Sequence, residues 1–599
     1  MRELVLILLP ELVLIAVASV LFLVGISKRA WARRLAASLA LATLVMLFAR
    51  QFWVLIGTGE PVPAEDAWNT VNNSSFANYV KLIATGVGAL TVLLAWPTNP
   101  DATGSRSLDF GGDAGEFFAL MLLSIAGVCL VSVANDLVLL FLAIELASIP
   151  TYVMVSISRP VPAAQEAGVK YFFLGAMAAA VMLFGFSYLY GTTGQVKLNA
   201  IGDALRSASV AASPVPAGGE EEGLAVAPTV LTDWKMLGVL MLLAGFAFKI
   251  AAVPLHAYAG DVYQGAATPV TAFLAFVPKT SGMVAIIKLL FTVGGSHWLV
   301  PEEIVRLLWV IAALTMTVGN VLGLMQVNVK RVLAYSSVAH SGYMLVGLTA
   351  LAGAHLSLPL VRAFQVQPDA LEGVLFYLAA YGVMNAAAFG VLQMLPSRAA
   401  DLGARPRGYA TDVTPPATTA ETYEDLAGQG RRHPLLGLAM AVACFSLIGL
   451  PLTVGFFGKF YLIRPALQAG YVWLVVITVA NAAISAAYYL RIVATMFLRP
   501  DPATAEAMES DIADAAAEGT AVESYPRRVF PIGLAVAASA LLTLLFGTFF
   551  PATNQLSQQV QEAALSPVQQ PYRGPATTPG AAPPPPAQAR AVAGAVANR

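Results

Sequence analysis

Apolar residues fill the chain in fourteen long blocks, and polar residues crowd into the joints between them. The blocks run over residues 4–25, 34–56, 76–96, 115–133, 136–157, 168–190, 234–258, 268–293, 304–325, 331–351, 371–395, 435–466, 471–497 and 529–550. Each is near or above the roughly 20 residues that an α-helix needs to cross a bilayer core. Helices satisfy their own backbone hydrogen bonds in lipid, so the pattern predicts an all-α, polytopic membrane protein with 14 transmembrane helices. Two blocks carry their own punctuation. Pro254 interrupts the seventh, and a proline inside a helix removes one hydrogen bond and clashes with the preceding turn. The twelfth is too long for one straight helix and holds Pro451 with Gly437, Gly449, Gly455 and Gly458. Helices 7 and 12 are therefore expected to be discontinuous.

Charges inside these blocks need a reason, because an ionisable group at bilayer depth costs several kcal/mol and marks a functional site by default. The stretch Gly245–Gly282, GFAFKIAAVPLHAYAGDVYQGAATPVTAFLAFVPKTSG, carries Lys249, His256 and Lys279. Lys249 and His256 are seven apart, which on a continuous helix is about two turns on one face. Helical rise puts Glu145, Lys279 and His340 about 14–17 Å into their spans, near the midplane of a core about 30 Å thick. Lys249 is also deep, and Lys459 lies in the middle of the twelfth block. A string of titratable groups at one depth is what lateral proton transfer requires. The alternative is structural: buried pairs for Glu145, packing for His340, and snorkelling to an interface for Lys170, which lies only a few residues into its span. By that argument Lys81, Lys288 and Arg491 are expected to be anchors near helix ends.

The positions of these charges suggest a repeat. Spans four to eight and nine to thirteen make two blocks of five, with Glu145 and His340 in the second span of each, Lys249 and Lys459 in the fourth, and Lys279 and Arg491 in the fifth. An odd number of spans per block makes consecutive blocks point in opposite directions, the inverted-repeat pattern of transporters. The expected divisions are residues 1–114 for three leading helices, 115–293 and 294–500 for two inverted five-helix repeats, 501–550 for a loop and helix 14, and 551–599 for a disordered Pro/Ala-rich tail. Basic residues after spans one, five, nine, eleven and thirteen all fall on one side, which the positive-inside rule makes cytoplasmic. Both termini are then periplasmic. The first block reads as a permanent span and not as a cleaved signal. The stretches 192–232, 396–434 and 500–526 read as soluble loops.

Composition narrows the chemistry. The chain is 58% hydrophobic and 12% charged, with mean hydropathy +0.71 and a net charge of −1. Its two cysteines, Cys129 and Cys444, lie in apolar blocks, which argues against a disulfide framework or a zinc site. No CxxC, HExxH, P-loop, GxGxxG or GxSxG motif occurs, so no metal, iron–sulfur, nucleotide or hydrolase site is expected in this chain.

Several ordered stretches resemble a known family: GEFFALMLLSIAGVCLVSVANDLVLLFLAIEL, KYFFLGAMAAAVMLFGFSYLYG, FKIAAVPLH, DVYQGAATPVTAFLAFVPKTSG, NVKRVLAYSSVAHSGYMLVG, GLPLTVGFFGKFYL and YYLRIVATMF. Together they cover spans four to thirteen. They are similar to the subunit N family of bacterial NADH–quinone oxidoreductase, respiratory complex I, an antiporter-like membrane-arm subunit. The chain departs from that family's usual pattern at Tyr258 and Gly260, and in the alanines of KYFFLGAMAAA. The resemblance implies a proton relay of Glu145, Lys170, Lys249, His256, Lys279, His340 and Lys459. It implies no cofactor in this chain, with NADH, FMN, iron–sulfur clusters and quinone handled by partner subunits, and a bacterial plasma-membrane location among other membrane-arm and peripheral-arm subunits. Two other readings stay open: a subunit of a multisubunit cation/proton antiporter, and a non-pumping structural subunit.

Overall fold

A computed structural model describes residues 2–55, 71–97, 113–212, 231–397, 419–500 and 530–548, apart from 28, 72, 73, 160, 161 and 396. The leading helices are α1 (Arg2–Ile7), α2 (Leu9–Gly25), α3 (Ala30–Leu55) and α4 (Ser75–Leu94). A first group follows: α5 (Ala114–Val133), α6 (Leu137–Ile157), α7 (Pro162–Thr193), α8 (Leu198–Ala212), α9 (Asp233–Lys249), α10 (Ala259–Gly265) and α11 (Thr268–Gly294). The second comprises α12 (Glu302–Leu324), α13 (Val329–Ser357), α14 (Leu360–Met394), the short turns α15 (Tyr423–Leu426) and α16 (Gln429–Arg432), α17 (Pro434–Ile448), α18 (Val454–Gln468) and α19 (Val472–Leu498). Helix α20 (Phe530–Thr548) closes the described chain. Among the described residues β-structure is limited to three isolated bridges. Among the described residues ten helices are, by length and composition, long and apolar enough to cross a membrane individually.

The two groups start their second long helix with the same device. Asp136 caps α6, its Oδ1 accepting from Val138 N at 2.9 Å and Leu139 N at 3.3 Å. Asn328 caps α13 by accepting from Arg331 N at 3.1 Å. Such side chains satisfy the donors that a helix start leaves open. In each case the chain emerging from the next helix returns to the cap: Leu137 N donates to Val196 O, and Val329 N donates to Glu421 O. Asp136 bridges Lys197 as Asn328 bridges Thr422.

Helix α11 is the centre of the bundle. Apart from Phe291 every residue along it is buried, packed by α4, α5, α6, α9, α13 and α14. A helix that is apolar all round belongs inside other protein, so Lys279 and Lys288 reside among helices and not against lipid. Helix α14 is nearly as enclosed.

Three expectations change. The span expected at 234–258 is helical only to Lys249; a turn occupies 250–258 and the second helical piece, Ala259–Gly265, lies beyond the expected end. Pro254 drives its predecessor away from helical angles, and Ala251 already has φ +56°. Helix α14 begins at Leu360 and not at 371, because its polar first turns find partners: Gln367 Nε2 donates to His297 O at 3.0 Å, and Asp369 pairs with Arg464 at 3.6 Å. The expected loop 192–232 contains α8, whose buried Leu198, Ile201 and Leu205 share a helical face against the end of α11. Of the expected loops, 501–526 and most of 396–434 lie outside the described residues, as does the whole 551–599 tail.

Candidate functional site

The site is assembled around the broken segment after α9. Lys249 is the last residue of that helix, and its ammonium points to α6. Nζ lies 2.9 Å from Glu145 Oε1 and donates to Tyr152 Oη at 3.2 Å. The Lys249 side chain is 2% exposed and that of Glu145 14%. Burying both charges is tolerable because each supplies the other's counter-charge and hydrogen bond. Gly282 of α11 makes the close approach possible: a Cβ there would sit 2.7 Å from Ile250 Cγ2 and 3.0 Å from Lys249 Cβ. On the other side of Lys249 a cavity of about 10 Å³ is bounded by Tyr171, Tyr258, Tyr263, Ser337 and Lys279, near the lower limit for holding a water.

Lys279 donates to the Ser337 carbonyl and, at 2.9 Å, to Ser341 Oγ. Ser341 donates in turn to Ile250 O at 2.6 Å, tying α13 to the break beside Lys249. Pro278 precedes Lys279 inside α11, and Ser281 Oγ donates to the Pro278 carbonyl at 2.7 Å. The Tyr381 ring faces Lys279 at 5.9 Å and packs on His340 at 4.9 Å. His340 bonds Tyr377 Oη through Nδ1 and Tyr489 Oη at 3.0 Å through Nε2, so the ring is clamped between α14 and α19. Tyr343 packs edge-on against His340 and offers its ring face to Lys459 Nζ at 4.5 Å. Lys459 donates to Leu447 O at 2.9 Å and Ile448 O at 2.8 Å, the last carbonyls of α17. Those carbonyls carry the negative end of the helix dipole. Glu145, Lys249, Lys279, His340 and Lys459 thus form one polar line through an apolar bundle.

Two of the seven expected residues are not part of that line. Lys170 is 44% exposed and pairs with Glu166 at 2.8 Å and Asp261 at 2.9 Å; Asp261 also holds Arg331 at 2.8 Å. His256 sits half-buried in the turn, and among the described residues no hydrogen bond or ring contact joins it to the other six. Its seven-residue spacing from Lys249 has no helical meaning, because the helix ends between them. The pairing of Lys249 with Lys459 by repeat position also needs adjustment: Lys249 ends the first half of its broken helix, whereas Lys459 lies in the second half of the other.

Neutral hydroxyls beyond the expected residues link these groups: Tyr152, Ser337, Ser341, Tyr343, Tyr377, Tyr381 and Tyr489. The signal was present as hydroxyls clustered within spans, above all in AYSSVAHSGYM of α13. Two residues expected as helix-end anchors are instead enclosed. Lys288 is 4% exposed and donates to Ala134 O at 2.6 Å. Lys81 is 1% exposed and paired with Glu11 at 2.8 Å. Helix ends that other helices cover leave no interface to snorkel to.

An all-helical membrane bundle with two broken helices and buried lysines at the breaks defines the antiporter-like class of membrane subunit. Residues 134–485 match the family described as "NADH:quinone oxidoreductase/Mrp antiporter, TM". NADH-quinone oxidoreductase subunit N of Trichlorobacter lovleyi is 35% identical, covering 82% of this chain and 88% of its own. Its counterpart in Myxococcus xanthus is 35% identical over 84% of this chain and 90% of its own. A chain of respiratory complex I from Thermus thermophilus superimposes with TM-score 0.62 at 26% identity, covering 90% of this chain and 97% of that one. A chain of the Mrp complex from Dietzia gives TM-score 0.70 at 20% identity over 94% and 97%, which is a likeness of fold alone. The chain belongs to the NADH-quinone oxidoreductase subunit N family.

Proposed function

We propose that this chain moves protons across a bacterial plasma membrane as a membrane-arm subunit of an NADH–quinone oxidoreductase, through Glu145, Lys249, Lys279, His340 and Lys459, with Lys170 and His256 at the approaches. The observation that carries the reading is the Glu145–Lys249 pair, 2.9 Å apart at the end of a broken helix. In this reading the pair parts during turnover, and the proton it held passes to Lys279, His340 and Lys459 in turn. The reading includes fourteen crossings, inverted repeats over 115–293 and 294–500, and periplasmic termini. NADH, FMN, iron–sulfur clusters and quinone belong in this reading to partner subunits, whose redox steps drive the separation of the pair.

The test uses Lys249→Met, Glu145→Gln and their double mutant in the assembled complex. NADH-driven quinone reduction and vesicle acidification should fall for each single variant while assembly on a native gel persists. Residues acting as one unit are non-additive, so the double mutant should be little worse than the worse single. Glu145→Asp should keep much of the activity. Full pumping by assembled Lys249→Met would sink the relay. The cation/proton antiporter reading stays open because the matched family's description also names the Mrp antiporter; purifying the complex and identifying its chains separates the two, since peripheral redox subunits belong only to the oxidoreductase.

A further inference from the structure

Lys288 is a buried lysine that the relay does not use. It is nine residues beyond Lys279 on α11, roughly 14 Å along the helix, and only Phe291 along that helix is not fully buried. Its ammonium donates to Ala134 O, at the end of α5. Beside it is a cavity of about 20 Å³ bounded by Asn135, Asn199, Arg206, Lys288 and Thr292. That volume suffices for a water, and polar groups line it. Asn199 Oδ1 is buried there, and among the described residues no donor reaches it. Arg206 of α8 roofs the cavity, donating to Thr292 O at 3.3 Å and to Asp203 at 2.7 Å with its side chain 37% exposed. A cation that only tied α11 to α5 would need no polar, water-sized space between itself and the surface. This one has that space, under a helix that solvent reaches.

We propose that Lys288 and this cavity form a proton port, by which the first five-helix group exchanges protons with water on the α8 face. The proposal rests on the relay reading above. In the exchange step the Lys288 ammonium loses one N–H proton to the cavity water, which hands it to bulk water past Arg206. The neutral amine keeps its bond to Ala134 O and is reprotonated from the side of the first helix group that holds Glu145 and Lys279, where α11 packs against α6. Arg206, which does not deprotonate, holds the roof and keeps the exit polar.

The discriminating variant is Lys288→Arg. It preserves a cation able to donate to Ala134 O but does not release a proton. The complex should assemble as before while NADH-driven acidification of membrane vesicles falls several-fold, as it should in Lys288→Met. A second arm serves in case either variant fails to assemble. In Lys288→Cys, 2-aminoethyl methanethiosulfonate forms a mixed disulfide with the thiolate, releasing methanesulfinate and restoring an ammonium. Applied from the α8 face, the reagent should restore pumping. Normal pumping by assembled Lys288→Arg, failure of the reagent to reach the introduced thiol, or attachment without rescue would each overturn the port. Lys249→Met is run alongside. If it pumps normally, the relay itself fails; if it is impaired while Lys288→Arg is normal, only the port fails.

Discussion

Glu11 and Lys81 meet 2.8 Å apart with side chains 2% and 1% exposed, more enclosed than the Glu145–Lys249 pair. Lys81 also donates to Ile7 O at 3.0 Å, a carbonyl at the joint between α1 and α2. The pair joins the first helices to α4 and touches none of the relay residues. Removing one member leaves a buried, uncompensated charge, which costs roughly 3–5 kcal/mol. Glu11→Gln or Lys81→Met should therefore lower the yield of assembled complex and the temperature at which it falls apart. Pumping per assembled complex should be normal, as a native gel with vesicle acidification would reveal. Ser341→Ala makes the opposite prediction. It deletes the hydroxyl between Lys279 and Ile250, so assembly should hold while coupled turnover drops by a few-fold, in keeping with about 1 kcal/mol for one hydrogen bond.

Both broken helices place a lysine at the break, but with different partners. Lys249 has a carboxylate, whereas Lys459 has helix-end carbonyls and an aromatic face. Gly449 fixes the second arrangement. Its φ of +90° suits glycine, and a Cβ would stand 2.9 Å from Lys459 Cδ. An alanine at such an angle costs about 1 kcal/mol in backbone strain, and it must also displace the lysine. Gly449→Ala should reduce pumping more than assembly; equal pumping and yield would show that Lys459 reaches its carbonyls by another rotamer. Helix α8 shows the converse case, in which an amphipathic helix inside an apparent loop became visible only once the end of α11 gave its apolar face something to cover.

At the scale of the molecule, α11 and α14 form a protein-lined axis and the outer helices meet lipid. Helix α7 exposes Val169, Phe172, Phe173, Met177 and Phe184 along its length. The two faces of the bundle are set by which joints lie together. Residues near 134–136 and 196–202 share one end with the close of α11. Residues 264–268, 328–331 and 419–422 share the other. Gln195 and Val327 are exposed and lie at opposite ends, and the native Cys129 and Cys444 are buried. Cysteine at Gln195 should react with an impermeant maleimide from the periplasm, and cysteine at Val327 only from the cytoplasm. Labelling of both from one side would overturn the proposed orientation.

Alternation of apolar blocks and polar joints determined by itself that the chain is helical, where nearly every helix lies, and that Pro254 and the Gly449–Pro451 region interrupt two of them. Those are local consequences: hydropathy and backbone restriction act over a few residues. Rise per residue also placed Glu145, Lys279 and His340 deep within their helices, because depth along a helix needs only its start. Direction around the axis was a different matter. Whether Lys249 met Glu145, Lys81 met lipid or Glu11, and His256 joined the line or left it depended on which neighbour covered each face. That was decided by contacts between residues scores of positions apart, such as Glu145 with Lys249 and Ser341 with Ile250. The hydroxyl links were settled only there, since a tyrosine in an apolar span carries no local mark of the partner its hydroxyl will find.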